Sequence, residues 1–423
     1  MQAEPNTEDM RALARHLYDV AVGAADPARA VRAYFEDHPP AALHGRGQHY
    51  LVAIGKAAPA MLAEAMRHVP QPFDALAVTH HENNQTVAGA RVLKAGHPVP
   101  DAAGLHAGQQ IAGLLSKAGA DDHVYALISG GGSALVPAPI PPLTLKDKQQ
   151  VNRVLLESGL DIASMNLVRQ QLSTLKGGGF LRLAAPAPVT ALILSDVIGN
   201  DLAAIASGPT TAPLGSRADA LALLRDHGLF DRLPQPVREL LETPREPSRS
   251  PDADNHLIGS NDLSLQAMQR AVPEGWTARI VSDHLTGDVG DAARTIIAAA
   301  RDTPLRQPTA LIFGGETTVR LRGDGRGGRN QELALRVAMQ GGDLPPGWVF
   351  LSGGTDGRDG PTDAAGGLVD QGTTGRIAAS GADAAALLAN NDSYAALKHA
   401  GDLLVTKATG TNVADVQVML LTP

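Results

Sequence analysis

VYALISGGGS, residues 124–133, sets a short apolar run directly against three glycines and a serine. The run shows no polar alternation and stops at a turn signal, which suits a strand covered on both faces. Two later stretches repeat the design: LIFGGET at 311–317 and FLSGGTDG at 350–357. Outward from these, further apolar segments predict strands at 50–54, 75–79, 91–95, 189–195, 256–260, 278–282, 349–352 and 413–421. Helical stretches fall between them at 101–117, 145–157, 164–175, 291–301 and 331–340, and the chain opens with helices, Thr7 serving as the first cap. Buried strands alternating with helices in the first half predict an α/β protein with a parallel sheet covered on both faces. The stretch LETPREPSRSPDAD at 241–254 is proline-rich, charged and aperiodic, as a linker is. The expected division is therefore an N-terminal α/β domain over 1–245 and a smaller C-terminal α/β domain over 255–423.

Composition narrows the function. The chain has 423 residues, more than one core usually supports, and no cysteine. Disulfides, thiolate metal sites and a cysteine nucleophile are thereby excluded. Net charge is −8, which argues against a broad nucleic-acid surface. The acidic, amphipathic start is unlike a signal peptide, and no apolar run is long enough to span a bilayer. The expected partners are small molecules in the cytoplasm, with neither nucleic acid nor membrane. A homodimer is compatible with all of this.

Glycines at the carboxyl ends of strands let a ligand approach the backbone and let N–H groups converge on an anion. One such turn is adequately explained as a tight turn; three in one chain favour a phosphate- or carboxylate-binding cleft. Around the first lie Ser129, Gly130, Gly131, Gly132 and Ser133. Lys56 follows the strand at 50–54 and precedes a helix, where an ammonium adds to the helix dipole. Asp196 ends the strand at 189–195, a position suited to orienting a hydroxyl or holding a cation; helix capping is an equal alternative. Glu316 closes the second glycine turn as a candidate metal ligand, a structural pair with an arginine being an equal alternative, and Asp356 closes the third as a candidate metal ligand or general base. The loop GDGRGGRNQE carries Arg326, Arg329, Asn330 and Glu332 ahead of a helix, which suits a phosphate or carboxylate. Gly323, Gly325 and Gly328 also fit G-x-G-x-x-G, with a strand expected before them at TTVRLRG. That fingerprint is discounted, because the strand alternates polar and apolar residues and no acidic partner follows.

The ordered set GKAAPAM, GHPVPD, SGGGSAL, MNLVRQQLSTLKGGGFLR, SDVIGND, IASGPT, GGETTV, GRGGRNQE and GGTDGRDGPTDAAG resembles the glycerate 2-kinase family, whose C-terminal portion is the MOFRL domain. The likeness runs over nearly the whole chain. It implies ATP-dependent phosphorylation of D-glycerate at its 2-hydroxyl with Mg²⁺ or another divalent cation. It also implies a Rossmann-like N-terminal parallel sheet with helices on both faces, a smaller C-terminal domain with a mixed sheet, and an active site between them. Lys56 and Arg329 match the family's essential lysine and arginine, and with Asp196 they form the expected catalytic set. Where relatives read S-D-V-x-G-D-D, this chain has Asn200, so that position is not assigned to metal. The rival is an NAD(P)H-dependent hydroxypyruvate reductase, which would need the loop at Gly323 as a cofactor site.

Overall fold

The computed structural model describes residues 6–43, 45–244 and 251–423. Two compact units emerge, Pro27–Ile258 and a second made of the chain up to Asp26 together with Gly259–Pro423.

The first unit is built on six strands: β1 (His49–Ile54), β2 (Phe73–His80), β3 (Arg91–Ala95), β4 (His123–Ile128), β5 (Val189–Leu194) and β6 (Asp254–Gly259). Their order in the sheet is β3-β2-β1-β4-β5-β6, the order of doubly wound Rossmann sheets. β1 pairs in parallel with both β2 and β4, so the strand order reverses between β1 and β4. Every residue of β1 and β5 is buried, which is why these strands read as unbroken apolar runs. Val52, Ile54, Val78, Ile111, Ala126, Ile128, Phe180 and Ile193 belong to its core.

The second unit carries a mixed sheet of β7 (Thr277–Ser282), β9 (Thr309–Gly315), β11 (Trp348–Gly354), β12 (Gly366–Asp370), β13 (Leu403–Leu404) and β14 (Asp415–Leu421). The order is β13-β12-β11-β14-β9-β7, and a separate pair joins β8 (Gly287–Asp288) to β10 (Thr317–Thr318). β14 lies antiparallel to both β11 and β9, while β7 and β9 run parallel. Alternate residues of the central strands feed two cores. Leu311, Phe313, Phe350 and Met419 pack on one side. Ile312, Leu351, Val416 and Val418 pack on the other, with Met10, Leu17 and Tyr18 of the first helix.

That helix, Thr7–Ala24, corrects the expected division. It buries its apolar face on the C-terminal sheet, although it stands at the start of the chain. The other boundary shifts as well. β6 completes the first sheet, so residues 255–258 belong to the N-terminal unit. Of the expected linker, Leu241 and Glu242 end the helix Gln235–Glu242 and Asp254 opens β6, while residues 245–250 lie outside the described residues. The N-cap of the first helix is Asn6 in place of Thr7, its Oδ1 accepting from the Asp9 N–H at 2.9 Å. The tail strand β14 sits at the centre of the C-terminal sheet.

Candidate functional site

In the N-terminal unit the candidate residues gather where the strand order reverses, the place where open α/β sheets bind ligands. Lys56 stands two residues past β1. Its backbone is fixed from three sides: its N–H donates to Gly130 O (2.9 Å), and Thr79 Oγ1 and Asn83 Nδ2 donate to its carbonyl (3.2 Å each). Among the described residues no carboxylate forms an ion pair with its ammonium. Gly131 has φ +83°, a left-handed conformation that opens the short helix Gly132–Leu135. Gly130 is required by close approach: a Cβ there would stand 2.1 Å from Asp196 Oδ2.

Asp196 therefore lies directly against the glycine turn. Burial raises its pKa above the ordinary carboxylate value, while its own backbone N–H and the charge of Lys56 pull it back. His97 approaches the same turn, and burial and then Lys56 lower its pKa. Sequence reasoning passed over His97, whose only signal was the GHPVPD segment. Ser129 is buried, and its Oγ accepts from the Ala57 N–H at 3.1 Å. Its role here is to brace the Lys56 loop. The Ser133 hydroxyl meets Ser207 Oγ at 2.9 Å and accepts from Lys176 Nζ at 2.7 Å.

In the C-terminal unit the other two glycine turns flank one residue that sequence reasoning missed. Asp415, the first residue of β14, is registered opposite both Gly315 and Gly354. Arg329, at the start of the helix Arg329–Gln340, grips it with two bonds, Nε to Oδ2 at 2.5 Å and Nη2 to Oδ1 at 2.9 Å. A third bond runs from Nη1 to Glu316 Oε1 at 2.6 Å. Burial lowers the Arg329 pKa, but the bonds and charge of Asp415 outweigh it and hold the guanidinium above its ordinary value. Arg329 is thus a clamped residue. Three of its five N–H donors are engaged in these bonds, leaving two.

The remaining loop residues divide sharply. Asn330 and Glu332 are buried. Asn330 Oδ1 accepts from Ser352 Oγ at 2.6 Å, and Glu332 Oε1 accepts from Arg336 at 2.7 Å. Both hold the unit together, so neither is free for the anion-binding role expected of it. Asp359 caps the same helix, accepting from the N–H groups of Asn330 (3.1 Å) and Gln331 (2.8 Å). Burial pushes its pKa up to about 6 against those two bonds. Arg326 is exposed, lies over the Tyr394 ring at 5.2 Å and donates to Pro361 O.

The segment TTVRLRG is not a strand beyond Thr318, and Leu321 within it is 82% exposed. The residues before the glycine loop gain no sheet partner, because the loop packs instead on the segment 390–392. A Cβ on Gly323 would stand 2.2 Å from Asn390 Oδ1, and Gly325 N–H donates to Asn390 O. The G-x-G-x-x-G spacing therefore serves chain packing and leaves no strand–loop–helix unit for a dinucleotide.

The expected metal ligands Glu316 and Asp356 offer hard oxygen donors. Asp356 Oδ1 and Asp415 Oδ1 lie 3.2 and 3.5 Å from the position a Gly354 Cβ would take, so the two carboxylates are neighbours. No three acidic or histidine side chains converge as a complete cage among the described residues. Such a donor set fits Mg²⁺, which keeps several waters and needs only one or two carboxylates beside substrate phosphates.

Comparison with known proteins agrees with this architecture. The family described as "Domain of unknown function (DUF4147)" matches residues 13–242, and the MOFRL family matches residues 309–415. D-glycerate 2-kinase of Thermotoga maritima is 40% identical over 381 residues, covering 88% of this chain and 90% of that protein. A protein of Agrobacterium vitis named putative hydroxypyruvate reductase is 38% identical over 429 residues, covering 98% of this chain and 95% of its own length. The crystal structure of glycerate kinase from Thermotoga maritima superposes with a TM-score of 0.91 at 36% identity, over 98% of this chain and 100% of that one. With sequence and structure in agreement over nearly its whole length, this chain belongs to the glycerate 2-kinase family.

Proposed function

We propose that this chain is an ATP-dependent kinase that phosphorylates D-glycerate at its 2-hydroxyl, giving 2-phosphoglycerate and ADP. The observation that carries the reading is the grouping of Lys56, the glycine turn and Asp196 at the point where strand order reverses. Phosphoryl transfer asks little covalent chemistry of a protein; it asks for positioning and neutralisation of charge. The Lys56 ammonium, without an ion-pair partner among the described residues, neutralises the transferred group, and the backbone around Gly130–Gly132 lets phosphate oxygens come close. Asp196 accepts the proton of the 2-hydroxyl as its oxygen bonds to the γ-phosphorus and the bond to the leaving ADP oxygen breaks. Burial keeps its proton affinity high enough for that step. Arg329 offers its two remaining N–H donors to an anion in a direction set by Asp415 and Glu316. Glu316 and Asp356 would hold the magnesium ion, which supplies charge neutralisation on the nucleotide phosphates when bound. A cytoplasmic location belongs to the same proposal; among the described residues no helix is long and apolar enough to cross a membrane.

Hydride transfer finds no support in the site, because the one glycine fingerprint is filled by the segment 390–392. The test is glycerate-dependent ADP release with ATP and Mg²⁺, with the product position read by phosphorus NMR. No ADP release, together with NADH oxidation on adding hydroxypyruvate, would overturn the proposal.

A further inference from the structure

The N-terminal unit contains a second concentration of positive charge that the catalytic roles above leave unused. A cavity of about 140 Å³ is lined by Ser133, Lys148, Asn152, Arg169 and Lys176, with walls that include Pro98 and Pro137. The helix Leu145–Glu157 turns Lys148, Val151 and Asn152 toward it, a spacing that places them on one face. Lys148 thus occupies the buried side of an amphipathic helix, where a lysine costs free energy unless something compensates it. Arg169 comes from the helix Ile162–Gln171, and Lys176 follows shortly after it.

Among the described residues none of these basic groups meets a carboxylate. Arg169 donates to Asn152 Oδ1 (2.6 and 3.1 Å) and to Asn166 Oδ1 (3.4 Å), which are neutral acceptors. Lys176 Nζ donates to the Ser133 carbonyl at 2.8 Å and to its hydroxyl at 2.7 Å. Lys148 Nζ reaches only Leu172 O, at 3.4 Å. Lys148 is 9% exposed and Lys176 4%. The cavity has no acidic residue in its lining. Burial and then the charge of Arg169 lower the Lys148 pKa to about 7. Burial, Lys148 and Arg169 lower that of Lys176 well below its ordinary value. Three basic groups in one small cavity with neutral partners are kept from full charge by burial, and an anion bound among them would favour their protonated forms.

Size limits what that counter-ion is. A dry cavity of about 150 Å³ accommodates benzene, with six heavy atoms. A cavity of about 140 Å³ therefore has room for a group of six or seven heavy atoms. Three-carbon hydroxy acids have that size, a carboxylate for the cations, and hydroxyls for Ser133 and Asn152. Ser133 also directly follows the Gly130–Gly132 turn assigned to phosphate, so the cavity adjoins the proposed reaction centre. We infer that this cavity is the carboxylate subsite for the hydroxy acid substrate, with Lys148, Arg169 and Lys176 as its counter-charges. The inference rests on the kinase reading for the identity of the acid, though not for the presence of an anion site.

The experiment combines calorimetric binding of D-glycerate in the absence of ATP with steady-state kinetics of the wild type, Lys148→Met and Arg169→Gln. Both variants are expected to raise the glycerate dissociation constant and KM at least tenfold, while KM for ATP stays within threefold. Lys148→Met keeps the side-chain length and removes an unpaired buried charge, so its melting temperature is expected to hold or rise by about 2 °C. Wild-type affinity should fall by up to tenfold per pH unit above about 7, and the fall should weaken in Lys148→Met, because the anion binds the protonated lysine. Turnover by the wild type with an unchanged glycerate KM in both variants overturns the subsite and leaves the kinase reading standing. A change confined to KM for ATP overturns it as well, as does a pH-independent wild-type affinity. Glycerate binding lost in the variants, with no ADP release by the wild type, supports the subsite and refutes the kinase reading alone.

Discussion

Replacing Asp415 by Asn tests whether the arginine expected to act on substrate is first of all held by its own chain. Asp415 is 1% exposed and takes two bonds from Arg329, whose side chain is 34% exposed and keeps a further bond to Glu316. Removing one partner of a fully buried pair costs roughly 3–5 kcal/mol, because a charge is left uncompensated. Partial exposure of Arg329 and its retained bond to Glu316 place this case at or below the lower end, about 2–3 kcal/mol. The readout is built into the sequence. The chain's two tryptophans, Trp276 and Trp348, both belong to the unit that contains the clamp, so urea unfolding followed by tryptophan fluorescence reports that unit. With a urea dependence of about 2–3 kcal/mol per molar, the midpoint should fall by roughly 1 M. Arg329→Ala should fall by a similar amount, and the double variant should cost at least about 2 kcal/mol less than the two singles added. Additive single effects, or an Asp415→Asn midpoint within about 0.2 M of wild type, would refute the clamp.

Other expectations follow from the same geometry. Lys56→Ala should reduce kcat by about 10²–10³ with little change in stability, since the ammonium has no ion-pair partner among the described residues; full activity in a Lys56→Ala, Arg329→Ala double variant would discard the catalytic assignment. Gly130→Ala should reduce activity by a comparable factor, because the added methyl enters the space of the Asp196 carboxylate; a crystal structure with Asp196 undisplaced would contradict this. Asp359 has a folded-state pKa of about 6, raised above the unfolded value of about 4, so its stabilisation is complete below pH 4 and lost as pH rises to 6. The difference is about 3 kcal/mol, and Asp359→Asn should flatten the pH dependence of the tryptophan-detected midpoint across that window. Leu17→Ala, on the first helix, should destabilise the tryptophan-bearing unit by about 2–5 kcal/mol, and an unchanged midpoint would detach that helix from the C-terminal sheet.

How much of this protein was written locally in its sequence depends on the range of the interaction concerned. The inner strands β1 and β5 were legible because parallel strands covered on both faces are continuous apolar runs, and their complete burial bears that out. The helix at 145–157 was bounded correctly because its Thr144 cap and Asp147 form a capping box within three residues. The glycine turns at Gly130, Gly315 and Gly354 were visible as composition, and the ordered motifs identified the family.

Other features depended on partners far away in the chain. Asp415 carries no local signal; it matters because β14 inserts between β9 and β11 and brings it opposite two glycine turns. The clamping of Arg329 spans 86 residues, and the Arg11 contacts with Asp370 and Asp402 that tie the first helix to the C-terminal unit span 359 and 391. Asn330 and Glu332 looked like binding residues because a polar run after a glycine loop reads as exposed, yet packing buried them. The cavity at Lys148 was equally hidden, since a lysine on a helix is ordinarily solvated. Only the packing of Arg169 and Lys176 beside it, with no carboxylate in the cavity lining, set three ordinary basic residues together without a counter-charge. Periodicity and turn chemistry are short-range and survive in one dimension. Charge pairing and burial are set by neighbours in space, and the folded chain alone supplies those.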